Sequence, residues 1–286
     1  MINARAKKIR LTHNIFVAAV TLGFVVLAAI YLIPFLSIIL SSFKPGREII
    51  RQGMNLQFQP ELLTLSNWHM LFSGTTQYFT WFFNSIGLTI VQVLSILIVC
   101  MFVAYGFAMY EFKFKNFFFF LVLLIMMIPF EILILPLYKQ AILFRLINTW
   151  SGIIFPFIIN ASTIFFFKQY YEGLPKSLLD AGRVDGVTEY GIFFRIILPL
   201  AQPAFAAMSI ANGMRSWNNF LWPLMVLRES RKFTLPIGLN TLLTPYGNNY
   251  DLLIVGSCFS IVPILLLYLA FQKNFISGMT AGSIKG

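Results

Sequence analysis

An all-α membrane protein with six transmembrane helices is the fold class that this sequence predicts, and three observations carry it. Hydrophobic residues make up 58% of the 286 residues and charged ones only 11%, with a mean hydropathy of +0.80, whereas a soluble domain carries roughly 25% charged residues. Six apolar segments reach the length of about 20 residues that a helix needs to cross a bilayer. None alternates like a barrel strand, and a chain in hydrocarbon must satisfy its backbone internally, so the segments are helices.

The first segment, Ile15 to Leu40, follows the basic start "MINARAKKIR". A signal peptide begins in the same way, but this apolar run far exceeds the usual h-region of about 7 to 15 residues. It also lacks a convincing cleavage site, so it is expected to remain as an anchor. The further spans are Trp81 to Met109, Phe117 to Leu137, Trp150 to Tyr170, Pro203 to Leu227 and Leu252 to Phe271. Pro34, Pro129, Pro156 and Pro263 lie inside them and predict kinks or local breaks. Lysines and arginines are more numerous on the side that holds the N-terminus, among them Lys7, Lys113, Lys168 and Arg195. This places both termini in the cytoplasm, by a modest excess. The organisation is thus a cytoplasmic N-terminus (1–14), a membrane domain (15–277) with a polar loop (174–200) between spans four and five, and a cytoplasmic tail (278–286). Two longer connections, Ser42 to Thr80 and Arg228 to Asp251, lie outside.

The net charge of +11 sits in short segments between apolar runs, where it meets anionic lipid and sets orientation. It forms no basic stripe with interleaved aromatics, which argues against nucleic acid. Cys100 and Cys258 lie inside apolar runs, and His13 and His69 are isolated, so neither a disulfide nor a metal site is expected. The spans hold no nucleophile, base and acid set, and the chain has no G-x-x-x-x-G-K-[ST] phosphate cradle. A transport or binding role is expected rather than an enzyme.

The window "LLDAGRVDGVTEYGIFFRIILPLAQP", Leu178 to Pro203, reads as soluble protein between two spans. Pro175 suits a first helical position, Gly186 a turn, Thr188 an N-cap and Glu189 a first turn. Ile192, Phe193, Ile196 and Ile197 recur at helical spacing, and Pro199 is expected to stop the helix. Such a segment is either an apolar-faced knob offered to a cytoplasmic partner or an amphipathic loop resting on the membrane.

Polar residues inside spans mark a pathway or a partner contact. Arg215, Asn218, Asn219 and Trp222 fall at i, i+3, i+4 and i+7 and are expected to share one helix face. Guanidinium, amide and indole groups suit a sugar's hydroxyls and ring faces. Glu131 is the one acid deep in an apolar run, a partner for Arg215 or for a solute. The alternative is that these groups lie near the outer interface or satisfy one another structurally. The run Phe117 to Phe120 suits lipid contact or packing.

"DAGRVDG", nine further residues and "IILP" resemble the EAA motif of ATP-binding-cassette importer permeases. Asp180, Ala181, Gly182, Gly186, Ile196, Leu198 and Pro199 occupy the motif positions, with Asp185 inside it. Asp180 stands where Glu is usual, which keeps the charge and shortens the reach. Gly182 stands where a second Ala is usual and weakens the helix by about 1 kcal/mol. "SSFKP" (Ser41 to Pro45), "NS" (Asn84, Ser85), "AYGFAMYEF" (Ala104 to Phe112), "MIPFEILILPLY" (Met127 to Tyr138), "LINT" (Leu146 to Thr149), "WNNFLWPL" (Trp217 to Leu224) and "TLPIGL" (Thr234 to Leu239) extend the resemblance. These narrow it to the carbohydrate-uptake type, similar to the second permease of the maltose system and to glycerol-phosphate permeases.

The resemblance implies half of a heterodimeric pore made with a second permease, driven by two ATPase subunits that bind ATP and Mg, and fed by an extracytoplasmic solute-binding protein. It implies that the polar loop docks into a cleft of the ATPase, and that a sugar, oligosaccharide, glycerol phosphate or other polyol is moved inward. The tail "SGMTAGSIKG" is similar to a segment that reaches between the ATPase subunits, which would engage Gly278, Gly282, Lys285 and Gly286; a frayed terminus is the alternative. No cofactor is expected in this chain. An ion-coupled secondary transporter would call for intramembrane acids or paired broken helices, and the sequence shows one such acid and no evident repeat.

Overall fold

The computed structural model of the chain describes residues 2–244 and 247–281. In chain order its helices are α1 (Ile2–Ser42), α2 (Gly46–Gln52), α3 (Ser66–Phe72), α4 (Tyr78–Met109), α5 (Lys115–Met127), α6 (Phe130–Leu143), α7 (Trp150–Ile154) and α8 (Ala161–Glu172). There follow α9 (Ser177–Val184), α10 (Glu189–Ile192), α11 (Leu198–Leu200), α12 (Gln202–Trp217), α13 (Leu221–Val226), α14 (Leu235–Asn240), α15 (Tyr250–Phe259) and α16 (Ile261–Ala281). Two short strands, β1 (Leu243–Thr244) and β2 (Gly247–Asn248), pair antiparallel with Leu243 opposite Asn248.

Three helices are long and apolar enough to cross a membrane, His13–Ser42, Tyr78–Met109 and Tyr250–Gln272, and six spans result when each bent helix pair counts as one. The helical membrane fold is as expected, but three of these helix pairs are sharply bent. In the third span, α5 and α6 meet at 102°. Pro129 supplies no N–H and forces Ile128 into extended backbone (φ −83°, ψ 117°), which ends α5. In the fourth, Pro156 sits in a 3-10 turn, Phe155–Phe157, and α8 restarts at 45° to what precedes it. Asn160 makes that restart possible, because its side chain accepts the Thr163 amide at 2.9 Å. The fifth span is corrected most. Its helix ends at Trp217 rather than continuing to Leu227, and α13 is a separate turn. Pro34 lies inside an unbroken α1, and Pro263 falls in the first turn of α16, where amides have no intrahelical acceptor.

The chain divides into two compact units. The first comprises Met1–Thr76 and Leu242–Phe259. Here the "SSFKP" residues finish α1. Lys44 is buried and its ammonium donates to Asn55 Oδ1 (3.1 Å) and to the Gln57 carbonyl (2.7 Å). Asn67 donates to the carbonyls of Ser42 (3.1 Å) and Lys44 (2.8 Å), and Gly46 donates its amide to Asp251. The Asn67 bond to Ser42 satisfies a carbonyl that the end of α1 leaves without a partner, and the Asp251 bond satisfies a first-turn amide of α2.

The second unit comprises Gln77–Thr241 and Ser260–Gly286, built around α4. Leu88, Gln92, Ile96, Cys100, Ala104 and Ala108 are buried at four-residue intervals along it, while Ile90, Val91, Leu94 and Ile98 are exposed, as suits a helix half in lipid. Helices α8 and α12 pack on the buried stripe, and α16 packs on α12. Ala204, Ala206, Ala207, Ser209, Gly213 and Ser216 make α12 thin enough for close approach on both sides. A Cβ on Gly213 would stand 2.6 Å from Leu267 Cδ2.

One end of α4 is tied to the segment after α13. The Trp81 indole donates to the Ser230 carbonyl (2.9 Å), and Asn84 donates to the carbonyls of Arg231 (2.8 Å) and Phe233 (3.0 Å). Ser85 accepts the Leu235 amide at 2.7 Å. The "NS" and "TLPIGL" stretches therefore hold each other. The polar loop meets the other end of this helix, about 48 Å away at 1.5 Å per residue.

Candidate coupling site and membrane cavity

The polar loop folds as two short helices about a turn. Helix α9 starts at Ser177, two residues later than expected, because the Pro175 and Lys176 carbonyls first accept the Leu178 (3.2 Å) and Leu179 (3.0 Å) amides in a turn. Gly186 has φ +73°, the left-handed backbone that the turn requires. Thr188 caps α10 by accepting the Gly191 amide at 3.2 Å. Pro199 does not stop the helix. The Leu198 amide bonds to the Phe193 carbonyl, a π turn that widens the backbone just before the proline ring, and helix continues to Leu200. The chain then bends by 76° into α12.

The apolar stripe faces largely inward. Ile192, Phe193 and Ile197 are almost wholly buried, with Leu179, in one cluster with Tyr105 of α4 and with Phe167 and Tyr171 of α8. The stripe fixes the loop onto the protein's own spans rather than onto a partner or a lipid surface. The outward face carries Asp180, Ala181, Asp185 and Gly186, with Val184 88% and Tyr190 76% exposed. Ile196 and Leu198 are half-buried and Pro199 is exposed.

Gly182 points inward. A Cβ there would lie 3.0 Å from both Ile192 Cγ1 and Ile196 Cδ1, so its departure from the usual alanine bears on how α9 lies on α10, not on the outward face. Gly182→Ala gains about 1 kcal/mol of helix propensity, and the flexible isoleucine ends must yield slightly. The thermal midpoint of the purified complex is expected to stay close to wild type; a drop of more than about 8 °C would show that the contact is rigid.

A polar bridge crosses the loop. Arg183 Nε donates to Glu189 Oε1 at 2.8 Å, and its Nη1 donates to Asp180 Oδ1 at 3.3 Å. The Tyr110 hydroxyl, at the C-cap of α4, donates to Glu189 Oε2. Hydrogen bonds from Arg183 and then Tyr110 hold the Glu189 carboxyl below the usual carboxylate range. Burial, followed by the bond to Glu189, pushes the Tyr110 phenol up. Helix α9, helix α10 and the end of α4 are thus tied through a single carboxylate.

A cavity of about 260 Å³ opens between α5, α8 and α12, lined by Met126, Asn160, Ser162, Thr163, Phe165, Phe166, Met208, Ala211, Asn212 and Arg215. Three of its lining residues bond to one another: Asn160 accepts from Thr163, and Asn212 donates to Thr163 Oγ1 at 3.0 Å. Next to Arg215, Ser216 donates to Gln92 at 2.7 Å.

The face expected for the fifth span does not form, because the helix ends at Trp217. Arg215 faces the cavity. Asn218 is exposed and donates to the Met214 carbonyl (3.0 Å), and the Asn219 amide bonds to the Ser216 carbonyl (3.2 Å). Trp222 is fully buried, its indole donating to the Gly152 carbonyl at 3.0 Å and its rings edge-on to Phe130 and Phe157. Glu131 is exposed in the first turn of α6, and among the described residues it forms no ion pair with Arg215.

Residues 97–280, which hold both the loop and the cavity, match the family described as binding-protein-dependent transport system inner membrane component. The chain belongs to this family. The permease is 53% identical over 277 residues to the arabinooligosaccharides transport system permease protein AraQ of Halalkalibacterium halodurans, covering 97% of this chain and 99% of the relative. It is 50% identical over 273 residues to the protein of the same name in Bacillus subtilis, covering 96% and 97%. It is 35% identical over 204 residues to the lactose transport system permease protein LacG of Rhizobium radiobacter, covering 71% and 74%. Its fold matches the crystal structure of a bacterial ABC transporter involved in the import of the acidic polysaccharide alginate, with a TM-score of 0.77 at 23% identity over 91% of this chain and 95% of that one. A component of this family transports and is not an enzyme.

In the permease, Gly278 lies within α16, while Gly282, Lys285 and Gly286 lie outside the described residues. Sequence reasoning missed Tyr110 and Arg183 as clamp residues, and Asn160, Thr163 and Asn212 at the cavity. A signal existed for Asn212, three residues before Arg215 and so on its helix face. None existed for Tyr110, which meets Glu189 only through the tertiary fold.

Proposed function

We propose that this chain is the transmembrane subunit of a binding-protein-dependent importer for arabinose-containing oligosaccharides, forming half of a pore with a second permease. The observation that carries the reading is the 53% and 50% identity, over nearly the whole chain, with permeases named for arabinooligosaccharide transport. ATP and Mg act on two partner ATPase subunits, and an extracytoplasmic binding protein delivers the solute. The outward face of the loop, Asp180, Ala181, Asp185 and Gly186, enters the ATPase. Gly182, Ile196, Leu198 and Pro199 shape the loop behind it. The excess of basic residues at the loop end supports a cytoplasmic loop, with both termini on that side and residues 278–286 reaching the ATPases.

The clamp supports this mechanism. A coupling element transmits force only if it moves with the spans, and Arg183, Glu189 and Tyr110 join the loop to α4. The complete complex in proteoliposomes, with its binding protein, is expected to show ATP-dependent uptake of labelled arabino-oligosaccharides in preference to lactose or glycerol phosphate. Uptake driven by an ion gradient without ATP would sink the importer reading, and preference for glycerol phosphate would sink the saccharide assignment.

A further inference from the structure

We infer that the turn between α4 and α5 is a binding site for an anionic phospholipid, with Lys113 and Lys176 taking the headgroup phosphate and Phe112, Phe114 and Phe117 entering the boundary between headgroups and acyl chains. The depth follows from the chain. Helix α4 crosses the membrane and ends at Met109, Tyr110 to Phe114 make the turn, and α5 starts at Lys115. From Phe117 to Met127 every residue of α5 is apolar. The hydrocarbon boundary therefore falls near Phe117. The turn before it is closed by the Lys115 amide on the Phe112 carbonyl at 3.2 Å, and it is too short to leave the headgroup layer.

At that depth the turn offers apolar rings and unanswered positive charge. Phe112 is 43%, Phe114 63% and Phe117 57% exposed, and such rings bury themselves where headgroups meet acyl chains. Phe114 has φ +66° and ψ 17°, a left-handed backbone that suits glycine or asparagine and strains a bulky residue. Strain of this kind persists at sites where the side chain has work to do. Here the ring stands outward, with the Lys113 ammonium 5.2 Å from its centre. Glu111 is the one acid of the turn, and Lys115 takes it, donating to Oε1 at 2.9 Å and to the Tyr110 carbonyl at 3.0 Å. The hydrogen bond and the charge of Lys115, and then the charge of Lys176 at the start of the polar loop, hold the Glu111 carboxyl below its usual range, which places Lys176 beside the turn. Lys113 and Lys176 are both exposed, and among the described residues neither has an ion pair. Two cations without a counter-ion, on stems that reach along apolar surface and beside exposed rings, are the complement of a phosphate diester on an acyl boundary.

The test places the photoreactive residue p-benzoylphenylalanine at position 117 of the complete complex, held in nanodiscs of phosphatidylcholine and phosphatidylglycerol in equal amounts, and reads the crosslinked species by mass spectrometry. Phosphatidylglycerol is expected to be captured well in excess of phosphatidylcholine. Lys113→Gln is expected to lower that excess about fivefold, the worth of one lysine beside an anionic surface, and Lys176→Gln to lower it in the same direction. Lys113→Arg keeps the charge and is expected to keep the excess. Equal capture of the two lipids by the complex with both lysines intact would overturn the site and leave ordinary lipid contact in its place. Capture chiefly of another subunit would overturn it by putting the turn in a protein interface. An excess that survives both glutamine variants would overturn the assignment of the two lysines.

Discussion

Arg183→Ala is expected to leave ATP hydrolysis running in the reconstituted complex while solute moved per ATP falls by roughly ten- to a hundredfold, the range that misplacing a working group by about 1 Å produces. Arg183 joins the two halves of the loop through Glu189, with Asp180 one turn back on α9 steadying the guanidinium, and Glu189 in turn holds Tyr110 at the end of α4. With alanine there, α9 keeps its apolar anchor, Leu179, but loses the tie that makes it follow α4. Tyr110→Phe removes one hydroxyl and nothing else, and is expected to give a smaller loss of the same kind. Coupling that is unchanged in both variants would reduce the bridge to a surface contact.

The bridge also has a pH signature. Glu189 is held below its ordinary value, so its contribution is complete above the unfolded carboxylate value of about 4.3 and is lost as pH falls through the folded one. The Tyr110 phenol is pushed up, so its contribution is complete below about 10 and is lost as pH rises through the folded value. Solute moved per ATP is therefore expected to be flat between about pH 5 and 9. A step within that window that persists in Tyr110→Phe and Arg183→Ala would belong to another group.

The spans were legible because burial in hydrocarbon demands long apolar helices, and composition alone records that. Thr188 and Gly186 were legible because a cap and a left-handed turn are local requirements. What escaped was tertiary. Nothing near Ile192 or Phe193 tells whether an amphipathic face will meet a partner, a membrane or the chain's own α4 and α8; it meets the last. Periodicity placed Trp222 with Arg215, but the helix ends between them, and the indole is drawn to the Gly152 carbonyl, at a glycine whose Cβ would stand 2.2 Å from the Leu146 carbonyl oxygen. That contact depends on the "LINT" turn, which lies just before Gly152 and far from Trp222 in the chain. Two expected pathway residues thus separate into one that faces a cavity and one that holds the core.

Gly186→Val is expected to uncouple the transporter outright. At φ +73° a β-branched residue is strained whatever the space around it, and among the described residues no heavy atom lies within 4 Å of a Cβ placed there, so backbone strain of about 1 to 3 kcal/mol is the whole effect. The π turn and Pro199 leave the second helix little freedom to absorb it, since Ile192, Phe193 and Ile197 are locked into the core. The strain is therefore relieved on the exposed side, by re-aiming α9 and with it Asp180, Ala181 and Asp185, the face proposed to enter the ATPase. Gly186→Asn separates the two effects. Asparagine tolerates the left-handed region far better than valine, so a bulkier residue that preserves the turn is expected to retain most of the coupling. Uncoupling by valine with retention by asparagine assigns the role to the turn; equal loss in both would place a close partner contact at Gly186 itself. Normal solute-stimulated ATPase activity and uptake in Gly186→Val would remove the loop from the coupling path.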